Sequence, residues 1–92
     1  VNSEIIRSSQ NQLIKRIRSL GLRKHRETER AFVVDGRRIV EAVLDSRAEI
    51  EAILLADDAD IELIELAEAS GVPWRFAERA VFDAVMETVT PQ

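Results

Sequence analysis

Ala31-Phe-Val-Val-Asp-Gly-Arg-Arg38 is the stretch that decides the fold. Four apolar residues, two of them β-branched, read as a buried strand over Ala31–Val34. Asp35, a good helix N-cap, and Gly36, which permits close backbone approach, follow at once. The strand therefore runs straight into a helix predicted over Gly36–Leu44, with Ile39, Val40 and Val43 on its inner face. A strand feeding directly into a helix is the repeating unit of a parallel α/β sheet.

The same alternation continues outward in both directions. Ile50–Leu55 reads as a second strand. Asp60 is placed to cap a helix over Ile61–Ser70 that offers Ile61, Leu63, Ile64 and Ala67 to the core, and Gly71 suits the position just past its end. Val72, Trp74 and Phe76 alternate with Pro73 and Arg75 and mark a third strand, with Pro73 at its start. Glu78–Met86 reads as a further helix with Val81, Phe82, Val85 and Met86 inward, and Thr88–Gln92 as extended chain. Upstream, Leu13, Ile14, Ile17 and Leu20 recur at helical spacing in a helix over Ser9–Leu20, capped by Ser9 or Asn11 and ended by Gly21. Leu22–Arg30 is a charged connector with one helical turn, and Ile5 and Ile6 supply a short edge strand within Val1–Ser8. The fold class is α/β: a three-layer α/β/α sandwich around a small, mostly parallel sheet, with right-handed crossovers.

Composition narrows the function classes. The chain has 92 residues, 46% hydrophobic and 33% charged, and no cysteine. One domain over residues 1–92 is expected, without disulfides, thiolate metal sites or cysteine nucleophiles. No apolar run approaches the roughly 18 residues of a membrane span, and no signal-peptide pattern opens the chain. The expected compartment is the cytoplasm, with no membrane partner. P-loop and dinucleotide glycine patterns are missing, and nothing forms a self-contained active site, so no catalytic residue, metal or cofactor is assigned to these residues.

Charge distribution is more telling than net charge, which is −4. Residues 1–30 hold eight Lys/Arg against three Glu, a net +5, and residues 31–92 hold five Arg against fourteen Asp/Glu, a net −9. A basic amino-terminal third on an acidic body is the electrostatic footprint of a polyanion-binding face. Three groups carry it. Asn11, Lys15 and Arg18 stand at i, i+4 and i+7 on one helical stripe, roughly opposite the apolar one, where cations neutralise phosphates and an amide reads a base edge or ribose hydroxyl. Arg23, Lys24, His25, Arg26 and Arg30 form a dense patch interrupted by Glu27 and Glu29. Gly36, Arg37 and Arg38 stand at the strand-to-helix junction. Backbone N–H groups there favour an anion, and two arginines in a helix's first turn oppose the dipole unless a phosphate compensates them.

Each group also has a purely structural reading. The stripe reads equally as a solvated face, with Asn11 a helix start. Arg37 and Arg38 read equally as solvated arginines on a capped helix. His25, the only histidine, has no Ser or Cys arrangement around it that suggests a triad. Asp57, Asp58, Asp60 and Glu62 lack the spacing and glycine of a calcium loop and read as a solvated loop plus a cap. Trp74 and Phe76 suit base stacking, but their alternation on a strand favours core packing.

Taken in order, Ser9-x-Asn11-x-x-x-Lys15, Arg26-x-x-x-Arg30-x-Phe32-Val-Val-Asp35-Gly36-x-Arg38, Ile53-Leu-Leu55, Gly71-Val-Pro73 and Glu87-Thr-Val-Thr-Pro-Gln92 resemble the amino-terminal substrate-binding domain of the SpoU/TrmH family, RNA ribose 2′-O-methyltransferases. The resemblance spans nearly the whole chain. It departs at Gln12, where family members often have Pro, and at Asp35, where they commonly have Glu. It implies a fold like that of the kink-turn-binding ribosomal proteins. It further implies capture of structured RNA, ribosomal or transfer, with Asn11, Lys15, Arg26, Asp35, Gly36 and Arg38 at the family's polar motif positions and Phe32 at a core position. The Thr-Pro-Gln ending implies a separate knotted domain after residue 92 that binds S-adenosylmethionine, carries the chemistry and forms a homodimer, while this domain alone is a monomer. The expected function is RNA recognition for an S-adenosylmethionine-dependent ribosomal RNA 2′-O-methyltransferase. Two alternatives stand beside it: a stand-alone ribosomal-protein-like RNA binder, and a protein-interaction module using the acidic helices.

Overall fold

A computed structural model describes residues 4–89. Over these residues three short strands, β1 (Ile5–Ile6), β2 (Ile53–Ala56) and β3 (Trp74–Ala77), accompany five helices: α1 (Gln12–Ser19), α2 (Arg23–Glu29), α3 (Arg37–Asp45), α4 (Ile61–Ala69) and α5 (Arg79–Val89). The strands are all parallel in the order β1-β3-β2. Ile5 pairs with Phe76, and Ile53 with Trp74. Backbone bonds extend the ladder at its ends, from Ile53 N–H to the Pro73 carbonyl (2.9 Å), Asp57 N–H to Ala77 (2.8 Å) and Glu78 N–H to Ile6 (2.9 Å).

Strand alternation sorts the side chains into two faces. Ile6, Leu54, Ala56 and Ala77 share one face, and α1 packs with α5 over it. Ile6, Ile14, Ala77 and Val85 are buried at the centre of this core, and Leu13, Ile17, Leu54, Val81, Phe82 and Met86 pack around them. Leu55, Trp74 and Phe76 belong to the opposite face, and α4, with Ala67 buried, packs beside β2. Trp74 and Phe76 meet edge to face with ring centres 5.1 Å apart. This is the three-layer α/β/α arrangement expected.

Local chemistry sets the helix ends. The Asn11 Oδ1 accepts from the N–H groups of Leu13 (2.8 Å) and Ile14 (3.4 Å), satisfying donors the helix itself cannot. The Asp60 carboxylate does the same for Leu63 (3.0 Å). Gly21 follows α1 where a Cβ would lie 2.8 Å from the Thr88 carbonyl oxygen, so only glycine lets this end approach α5 so closely. Three arginines then tie distant segments. Arg16 bridges Glu29 (2.6 Å) and Glu51 (2.9 Å), Arg79 grips Asp58 (2.6 Å) and Asp83 (3.2 Å), and Arg7 reaches Glu78 (2.7 Å). Hydrogen bonds from Arg16 and Arg79 hold the Glu51 and Asp58 carboxyls below their ordinary ranges.

Several expectations are corrected. Residues 31–35 are not a strand but a connection without regular structure, and Phe32 is 73% exposed. Strand propensity alone does not pair a strand, and the three-stranded sheet β1-β3-β2 includes no residue of this segment. The connector Leu22–Arg30 instead forms the two-turn α2. Its end is set by Arg30 in the left-handed conformation (φ 52°, ψ 44°), with the N–H groups of Arg30 and Ala31 both donating to the Arg26 carbonyl. Ile39 (51% exposed) and Ile61 (63%) lie largely outside the core, because each is in the first turn of its helix, beyond the sheet's cover. β2 begins later and α5 runs further than expected, so Thr88 and Val89 are helical rather than extended. Residues 90–92 of the expected extended tail, and residues 1–3 of the expected edge segment, lie outside the described residues.

Candidate nucleic-acid interface

The Asn11, Lys15 and Arg18 stripe divides by task. Asn11 spends its side-chain oxygen on the helix cap, which leaves its amide N–H₂ as the group able to meet a ligand. Lys15 is exposed, and its side chain has no ion pair or hydrogen bond among the described residues. Arg18 donates through Nη2 to the Ser9 carbonyl (2.9 Å). It rims a cavity of about 410 Å³ between α1 and α5 whose floor includes Ile14, Val81 and Val85 and whose other cationic wall is Arg7.

The second patch gathers more tightly. Arg23, Arg26 and Arg30 line one open groove of about 600 Å³ together with Glu27, Ala31 and Phe32. Arg23 pairs with Glu27 one turn on (3.1 Å), an exposed contact of small energetic weight. Arg26 donates through Nη1 to the Leu20 carbonyl (2.9 Å), closing the end of α1 while keeping its charge and its remaining donors. Lys24 and Arg30 are exposed, and their side chains have no partner among the described residues. His25 Nδ1 lies 3.0 Å from the Ser19 carbonyl, half-buried against the turn after α1.

The Asp35–Arg38 junction departs from expectation. Asp35 does not cap α3: Gly36 holds the cap position with φ +102°, a conformation open to glycine and unfavourable for any side chain. Nor is Arg37 uncompensated. It contacts Asp60 (3.3 Å) and Glu62 (3.2 Å) at the start of α4, and Glu41 (3.6 Å) one turn on. The charge misplaced against the α3 dipole is thus neutralised from a neighbouring helix. Arg38 makes no such contact and remains exposed. The acidic residues read as a solvated loop are equally committed. Asp57 accepts from the Arg79 N–H (3.1 Å), Asp58 pairs with Arg79, and Asp60 and Glu62 meet Arg37. No metal-binding group of three ligands occurs among the described residues.

Of the ten residues singled out, Arg23, Arg26 and Arg30 are brought together in one groove, Lys15, Lys24 and Arg38 have side chains without a partner among the described residues, and Asn11, Arg18, Gly36 and Arg37 carry structural duties. Sequence reasoning placed Phe32 in the core and so missed the aromatic wall of the groove. The signal was present in Arg30-x-Phe32, a basic residue and an aromatic two apart.

Fold and charge thus define a small α/β domain with an amino-terminal cationic groove. The MRM3-like substrate binding domain matches residues 11–92, and the chain belongs to that family. The chain is also 31% identical over 91 residues to the 23S rRNA (guanosine(2553)-2′-O)-methyltransferase RlmP of Bacillus subtilis (strain 168). That alignment covers 95% of this chain and 34% of the relative, so the chain spans about a third of the curated protein it matches. No solved structure matches.

Proposed function

We propose that this domain captures structured 23S ribosomal RNA for a 2′-O-methyltransferase, holding phosphates with its amino-terminal cations while a separate domain performs methyl transfer. The observation that carries the reading is the family match over residues 11–92, joined to a relative named for 2′-O-methylation of 23S rRNA. The free charges support it. Lys15, Lys24, Arg30 and Arg38 have no counter-ion among the described residues, so no such pair has to break when they meet phosphate. S-adenosylmethionine would supply the methyl group in the separate domain, and the two thirds of the relative beyond this alignment leave room for one. Dimerisation would likewise belong to that domain, and the protein would act in the cytoplasm. A domain of this kind recognises RNA by shape and backbone as much as by base edges.

The test is a salt titration of binding between the 92-residue chain and a labelled 23S rRNA fragment. Neutralising about four phosphates predicts a log–log slope of roughly −3 to −4. A flat response, or no binding at low salt, would remove the proposal. Tight binding to a protein partner under those conditions would favour the acidic-face alternative instead.

A further inference from the structure

Phe32 is the most exposed large apolar side chain among the described residues, at 73%, and it lines a groove whose other walls include three arginines. Exposed aromatic area of this kind is unfavourable in water, and the chain had an alternative: Val33 and Val34 beside it are half-buried. The surroundings are cationic rather than apolar. Arg26 is held in place by the Leu20 carbonyl, and Arg30, whose exposed side chain has no partner among the described residues, stands at the groove wall. A flat π face flanked by guanidinium groups, one of them pinned, suits one ligand chemistry: an unpaired nucleobase with phosphates on either side of it. A purely apolar partner would strand the arginines, and duplex RNA would present no base face to the ring.

We infer that Phe32 is a stacking platform for an unpaired base of the RNA, with Arg26 and Arg30 neutralising the flanking phosphates. The inference rests on the RNA-binding reading above and adds the class of RNA at this groove, a loop or bulge rather than a continuous helix.

Two probes separate the possibilities: a fluorescein-labelled 23S rRNA hairpin with unpaired purines in its loop, and a fully paired RNA duplex of equal length. Phe32→Ala should weaken hairpin binding about five- to a hundred-fold, the span of one base–aromatic stack. It should leave duplex affinity and salt slope within twofold of the parent, and Phe32→Trp should retain hairpin affinity. Phe32→Leu keeps apolar area without a π face and should behave like Phe32→Ala. Because Phe32 is exposed, all three variants should melt as the parent does. Unchanged hairpin affinity in Phe32→Ala, or full affinity in Phe32→Leu, would overturn the stacking role and leave RNA binding itself standing. A lower melting temperature or a change in oligomeric state would also overturn it, showing Phe32 to be a packing residue. If the parent chain binds neither probe, both readings fall together.

Discussion

Arg30 is where stability and binding should respond to one substitution with opposite signs. Its backbone is left-handed (φ 52°, ψ 44°), a conformation that costs an ordinary residue about 1–2 kcal/mol. Its side chain is exposed and makes no hydrogen bond or ion pair among the described residues, so removing it forfeits none there. Arg30→Gly relieves the backbone strain. Against this, glycine gains unfolded-state freedom worth roughly 0.5–1 kcal/mol. The net expectation is a stabilisation of about 0.5–1 kcal/mol. For a domain of this size, that is a rise in melting temperature of roughly 2–8 °C.

The same change deletes one cation from the groove. If Arg30 contacts a phosphate, the log–log salt slope for RNA binding should shrink by about 0.7–0.9. Thermal unfolding by circular dichroism and fluorescence anisotropy at several salt concentrations read the two effects separately. Arg30→Ala is the control: it keeps the strained backbone, so the slope should fall equally while the melting temperature stays near the parent's. A lower melting temperature in Arg30→Gly would refute the strain argument and show the side chain to be part of the fold. An unchanged slope in both variants would take Arg30 off the RNA.

Other perturbations test the frame around the groove. Ile14→Ala removes a fully buried side chain from the centre of the core and should cost about 2–5 kcal/mol in urea unfolding. Gly21→Ala forces a methyl against the Thr88 carbonyl and should destabilise by about 1–3 kcal/mol, with α1 and α5 pushed apart. Arg38→Ala should weaken RNA binding without moving the melting temperature, whereas Arg37→Ala should lower stability and leave the salt slope intact, because its charge is already met by Asp60 and Glu62. Glu51 and Asp58 have carboxyls held below their ordinary ranges in the fold. The stability they contribute is therefore present above that range and is lost as pH falls through and below it to the depressed folded-state values. Asp58→Asn should flatten this acid limb, and an unaltered limb would show that the Arg79 pair contributes nothing.

What the sequence made legible is what local chemistry decides. Asn11 before an apolar 3–4 repeat and Asp60 before another announced two helix starts, and both side chains make the capping bonds those positions require. Val81, Phe82, Val85 and Met86 fell on one helical face and do pack in the core. The failures are non-local. Ala31–Val34 has the composition of a strand, but pairing is settled by where the rest of the chain places the segment, and the sheet is completed by Ile5–Ile6, Trp74–Ala77 and Ile53–Ala56 without it. The same blindness applies to charge. Arg16 meets Glu51 across 35 positions and Arg37 meets Asp60 across 23, and neither partnership leaves a mark in a local window. Arg37 therefore looked like an orphan awaiting phosphate when it was a tie between two helices.

That distinction revises how the basic third of the chain should be counted. A carboxylate partner cancels a cation at long range, so Arg7, Arg16 and Arg37 contribute little field to an approaching polyanion. A carbonyl partner does not cancel it. Arg18 and Arg26 donate to the Ser9 and Leu20 carbonyls, and each keeps its full charge and spare donors while losing the freedom of a long side chain. Holding a charged fork still before the ligand arrives removes an entropy cost that a mobile lysine would incur on binding. The two pinned arginines and the four free cations therefore have different uses. Lys15, Lys24, Arg30 and Arg38 supply salt-sensitive attraction, while Arg18 and Arg26 supply fixed geometry. On this reasoning, Arg26→Lys keeps the charge but loses the fork, and should weaken RNA binding with little change in salt slope. Lys24→Ala should do the reverse, lowering the slope with only a small loss of affinity at low salt. If both substitutions moved the slope equally, pinning would be a property of the fold with no part in recognition.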